Sequence, residues 1–93
     1  MLYILNKTGE ESIKQLAVIG ATDNDKAVLF VTDAVFLATE ANLKRFENLK
    51  VEKFYAAKDA VEARVMKAAG EVELIDYDGM AELLEDADKV VVL

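Results

Sequence analysis

Ala27-Val28-Leu29-Phe30-Val31 is an unbroken apolar run, closed by the polar pair Thr32-Asp33. Its length and its β-branched and aromatic content predict a strand rather than a helix. Side chains on a strand alternate between the two faces of a sheet, so an unbroken apolar run is a strand buried on both faces. That is the pattern of a parallel sheet with helices on each side.

Runs of similar character recur along the chain. Leu2 to Leu5 is a short one, Val51 to Ala56 is mixed but rich in aromatic and β-branched types, and Val72 to Ile75 and Lys89 to Leu93 bring the expected strands to five. Helical patterns fill the gaps. Thr8 and Glu11 have the spacing of a capping box, Ile13, Leu16 and Ala17 follow at helical intervals, and Gly20 suits the stop. Asp33 is expected to cap a second helix running through Ala34 to Ala38. Ala57, Ala60, Val61, Val65 and Ala68 form an apolar stripe for a third, ending near Gly70, and Met80, Ala81, Leu83, Leu84 and Ala87 form a fourth.

Alternating strands and helices with right-handed crossovers specify the α/β class. The expected architecture is three-layer α/β/α around a mainly parallel five-stranded sheet. At 93 residues the chain has room for one core, and a single domain is expected over residues 1–93. No proline, Gly/Ser tract or repeat marks a boundary.

Composition narrows the chemistry. The chain has no cysteine and no histidine. Persulfide or thioester chemistry on its own residues, Ser-His and Cys-His triads, and a zinc centre built from the usual ligands are therefore excluded. The net charge of −7, without a run of Lys and Arg, argues against direct binding to nucleic acid or an anionic membrane. Met1-Leu2-Tyr3-Ile4-Leu5 lacks the charged start of a signal peptide, and no apolar stretch is long enough to cross a membrane. A cytoplasmic protein with no cofactor and no metal is the expectation.

In parallel α/β sheets ligands gather at the carboxyl ends of the strands. Here those ends hold Asn6-Lys7-Thr8, Thr32-Asp33, Ala57-Lys58-Asp59 and Asp76-Tyr77-Asp78. Lys7-Thr8-Gly9 stands where phosphate loops occur, but Glu10 and Glu11 follow in the first helical turn and favour a helix cap. Asp76 and Asp78 suit either a divalent cation or a cap and first-turn acid. Lys58 and Glu62, four apart, are expected to pair on a solvated face. Ala34-Val35-Phe36-Leu37-Ala38 is apolar on all sides, more than one sheet-covering stripe requires, so its surplus must meet another helix or another chain.

Taken in order, several of these segments resemble the DsrH/TusB family of sulfur-relay subunits. The resemblance starts at Met1-Leu2-Tyr3-Ile4-Leu5 and continues at Val31-Thr32-Asp33-Ala34-Val35, where the family shows Gln-Asp-Ala/Gly-Val. It is clearest from Phe54-Tyr55-Ala56-Ala57-Lys58-Asp59 to Glu62-Ala63-Arg64, and closes with Glu73 to Met80 and Asp88-Lys89-Val90-Val91. It implies a three-layer domain in a complex with DsrE/TusD-like and DsrF/TusC-like subunits, commonly a heterohexamer, that passes persulfide sulfur between cysteines. The sulfur serves 2-thiouridine formation at the tRNA wobble position in one branch and sulfur metabolism in the other. Two departures stand out. Some members carry a cysteine that this chain lacks, and the family glutamine is Thr32 here.

The resulting expectation is a non-catalytic relay subunit whose partner-facing surface includes Asp33, Val35, Phe36, Lys58, Asp59 and Arg64. Its alternative is a homo-oligomeric module holding a small ligand in a strand-end pocket of Asn6, Thr32, Asp33 and Asp76. A third reading, an enzyme working through carboxylates and Tyr77 alone, competes with capping roles for the same acids.

Overall fold

In the computed structural model, which describes residues 1–93, Lys26–Phe30 forms β2, the central strand of a five-stranded sheet. β1 (Leu2–Leu5) and β3 (Val51–Ala57) flank it, β4 (Val72–Ile75) lies outside β3, and β5 (Val90–Val92) lies outside β1. Every ladder is parallel. The chain steps from β1 to β4 in one direction, then returns across the whole sheet to β5. Right-handed crossovers therefore put the first three connections on one face and the last on the other.

Both faces match that rule. On the first, α1 (Glu10–Ile19) and α3 (Lys58–Ala63) pack with Tyr3, Leu5, Val28, Phe30 and Ala56 in the main core. On the second, α4 (Tyr77–Asp86) lays Met80 and Leu83 over Leu2, Leu29 and Ile75. β2 thus buries Val28 and Phe30 on one side and Leu29 on the other, as its unbroken apolar run requires. Phe30, Phe46 and Phe54 form an aromatic trio in the main core, with centroids 5.6 to 6.0 Å apart.

Gly20 ends α1, where a Cβ would lie 2.7 Å from Lys26 Cδ and 2.9 Å from the Leu16 carbonyl oxygen. The crowding comes from Lys26, a lysine only 2% exposed. Its ammonium donates to the Gly20 carbonyl at 2.8 Å and to the Asp23 carbonyl, supplying positive charge where the helix leaves unpaired acceptors. The Asp23 carboxylate accepts from the Tyr3 hydroxyl at 3.3 Å and from the Asp25 backbone N–H at 3.1 Å.

Three expected helices differ in detail. Gly9, not Thr8, is the N-cap of α1, and no side chain caps it, so the Thr8–Glu11 capping box does not form. Thr32–Ala38 is a 3-10 segment, followed by the short α2 (Glu40–Leu43) and a 3-10 turn at Lys44–Phe46. Asp33 does not cap it, because the chain enters through Thr32 at a φ of 50° and the carboxylate turns to Arg64. The third helix stops at Ala63, because Val65 takes a φ of 48°. Beyond that turn the chain runs along the 3-10 segment, where the Ala69 N–H donates to the Ala38 carbonyl at 2.8 Å.

The surplus apolar surface of residues 34–38 is met inside the chain. Ala34, Val35, Leu37 and Ala38 are buried among β2, β3, α2 and α3, and only Phe36 reaches the surface. An apolar 3-10 segment needs no second chain when sheet and helices enclose it on all sides.

Candidate functional site

The carboxyl ends of the strands form one edge of the domain. The Thr32 hydroxyl donates to the Asn6 carbonyl at 3.0 Å, tying the ends of β1 and β2. From the next residue, Asp33 Oδ1 accepts from Arg64 Nη2 at 2.7 Å. Arg64 follows α3, and its Nη1 donates back to the Ala60 carbonyl at 3.0 Å. The same guanidinium lies 5.8 Å from the Phe36 ring centroid, close enough for a cation–π contact. Asp33, Phe36 and Arg64, scattered over thirty-two positions from 33 to 64, thus meet in one cluster.

Two strained residues bracket this cluster. Thr32 precedes Asp33 and Val65 follows Arg64, both β-branched and both with left-handed φ. That conformation costs about 1–3 kcal/mol for such side chains and is characteristic of functional positions. Val65 is 94% exposed. Its isopropyl group stands in solvent beside the ion pair, an unfavourable position for an isolated domain. Sequence spacing had assigned Val65 to a buried helix stripe, and no local signal announces its turn.

The other expected residues are distributed as follows. Val35 is fully buried and belongs to the core rather than to the partner-facing surface. Lys58 and Asp59 are exposed at the start of α3, and Lys58 makes no ion pair with Glu62. Asp76 caps α4, its Oδ1 accepting from the Gly79 N–H at 2.8 Å, with Asp78 in the first turn. Asn6, Thr32, Asp33 and Asp76 line none of the four principal cavities. The largest cavity, about 530 Å³, is an open trough at the opposite end of β3, between Phe46, Phe54 and the carboxylates Glu40, Glu47, Glu52 and Glu71. Nowhere do three or more acidic side chains converge as a metal ion requires. Glu10, at the start of α1, faces Arg45 at 3.4 Å.

Titration is perturbed at the amino end of the sheet, away from this edge. Burial and the adjacent Asp23 carboxylate push the Tyr3 hydroxyl above its ordinary pKa. Burial works to raise the Asp23 carboxyl too, but the Asp25 N–H, the terminal ammonium and the Tyr3 hydroxyl outweigh it and hold its pKa below the ordinary value. These groups brace the fold behind α1.

The edge thus carries an exposed ion pair, a half-exposed aromatic ring and a projecting valine, and its strand-end residues line none of the four principal cavities. Residues 10–90 match a protein-family model described as "DsrH like protein". The crystal structure of the ychN protein from E. coli superposes with a TM-score of 0.74 at 16% identity, covering 99% of this chain and 97% of that one. At that identity the likeness establishes the fold, an α/β domain of the same architecture. No curated protein sequence matches.

Proposed function

The chain belongs to the DsrH-like family, a family of sulfur-relay subunits, and from that premise we propose that it is the non-catalytic member of a relay complex. It completes the assembly and positions a neighbour's cysteine-bearing loop. Without cysteine the chain takes no persulfide itself, so the sulfur passes between thiols of DsrE/TusD-like and DsrF/TusC-like partners. The sulfur is destined for the tRNA wobble 2-thiouridine or for intracellular sulfur metabolism, with the complex in the cytoplasm.

The observation that carries the contact assignment is the Asp33–Arg64–Phe36 cluster with Val65 beside it. A partly exposed arginine fixed by an acid and an aromatic face, with apolar groups at its rim, is the composition of an interface hot spot. Lys58 and Asp59 extend it as a polar margin. A ligand-binding homo-oligomer has less support, because Asp76 is engaged as a cap and no principal cavity opens at the strand ends.

The test is purification of the protein from its own cells, with partners identified by mass spectrometry and mass measured by light scattering. Cysteine-bearing DsrE-like chains in a defined complex, lost on Phe36→Asp while the variant stays folded, are the expected result. Recovery of a homo-oligomer alone would overturn the relay assignment.

A further inference from the structure

The second face of the sheet is covered by one helix. Five strands at about 4.8 Å spacing span roughly 20 Å, while a helix is about 10 Å across. α4 therefore leaves sheet uncovered on both sides. The two sides are dressed differently. Toward β3 and β4 the uncovered residues are Lys53 and Glu73, an ion pair at 3.3 Å, with Lys53 also near the Tyr55 ring. That side suits water.

Toward β1 and β5 the uncovered residues are apolar. Ile4, Val90 and Val92 share this face, with Val90 and Val92 38% and 63% exposed. Helix geometry supplies a wall to this strip. At 100° per residue, Leu83 and Asp86 lie on one flank of α4, where they line a cavity with Met1, Leu2, Asp25 and Ala27. Leu84 and Tyr77, seven apart, lie on the opposite flank, which in a right-handed crossover helix running back from β4 to β5 is the β5 side, and are 44% and 79% exposed. The free edge of β5 bounds the other side of the strip.

Charge identifies the occupant. The solvent side of α4 carries Asp78, Glu82, Glu85 and Asp86 and no basic residue, and none of these acids forms an ion pair. In a two-fold contact between copies the same patch meets itself, so acid rim would face acid rim. An anionic membrane is disfavoured for the same reason. We propose that this apolar strip, Ile4, Leu84, Val90 and Val92 with its acidic rim on α4, docks a different protein subunit whose apolar surface is rimmed by Lys and Arg. The surface lies across the sheet from the Asp33–Arg64 cluster, so the chain would bridge two neighbours through two chemically distinct faces.

The inference rests on the relay reading only for its probe, the purified DsrE-like and DsrF-like subunits from the same cells. Affinity for each is measured at low and high salt with wild type, Leu84→Asp, Val92→Asp and the double reversal Glu82→Lys/Glu85→Lys, after thermal melts confirm folding. The expected result is about a tenfold or greater loss of affinity for one subunit in all three variants, wild-type binding that weakens with salt, and no self-association through this face. Unchanged affinity in the three variants, or a homodimer that Val92→Asp dissolves, would overturn the proposal. If Phe36→Asp alone abolishes binding, the relay reading stands and this inference falls. If neither subunit binds wild type, both fall.

Discussion

Arg64 and Asp33, thirty-one positions apart in sequence, close a 2.7 Å ion pair that links the exit of α3 to the carboxyl end of β2. The pair is exposed on its acidic side, Asp33 being 71% accessible. Its contribution to folding is therefore small, about 0.2–1 kcal/mol. Arg64→Met is expected to lower the urea midpoint only slightly while removing partner binding, measured by co-purification. Equal loss of stability and binding would show that the cluster is only structural.

Val65 gives a sharper separation. Asparagine accepts the left-handed conformation far better than a β-branched residue. Val65→Asn is expected to stabilise the isolated protein by about 0.5–1 kcal/mol in chemical denaturation. Removal of its projecting isopropyl group is expected to weaken the complex. A variant less stable than wild type would contradict the strain at this turn.

Gly20 and Lys26 test the brace behind α1. Gly20→Ala places a methyl group within 2.7 Å of Lys26 Cδ and 2.9 Å of the Leu16 carbonyl oxygen, a cost of about 1–3 kcal/mol as the neighbours shift. Lys26→Met keeps the aliphatic stem but strands the carbonyls of Gly20 and Asp23, with a loss of about 1–3 kcal/mol. Both appear as lower denaturant midpoints with an unchanged slope.

The pH dependence follows from Asp23 and Tyr3. Asp23 has a folded pKa below its ordinary 3.8, so its contribution is complete above that value and is lost as pH falls through the folded pKa. Asp23→Asn is expected to flatten the acid limb of a stability–pH curve. Tyr3 has a folded pKa above its ordinary 10.0, so its contribution is complete below that value and is lost as pH rises toward the folded pKa. Tyr3→Phe is expected to flatten the alkaline limb. An acid limb identical in wild type and Asp23→Asn would refute the assignment.

Strand positions and fold class were legible in the sequence because they depend on local pattern. The unbroken run at Ala27–Val31 needs two covered faces whatever its neighbours are, and spacing alone set Met80, Leu83 and Ala87 of the fourth stripe against the sheet, whereas Ala81 and Leu84 of the same stripe stay exposed. The Asp76 cap was legible too, since a cap bonds to its own turn. The absence of cysteine excluded covalent sulfur chemistry on this chain without reference to any fold.

The tertiary structure alone decided what depends on long-range approach. It enclosed Val35 and its neighbours within the chain, where sequence could count their apolar surface but not see what covered it. It ended α3 at Ala63, turned Val65 into solvent, and carried Asp33 away from its expected cap to Arg64. The physical reason is common to these cases. Helix propensity and capping are worth about 0.5–2 kcal/mol per residue, so the chain path set by burying Ala34, Val35, Leu37 and Ala38 overrides them, and the exposed Asp33–Arg64 pair follows from where that path brings the two side chains.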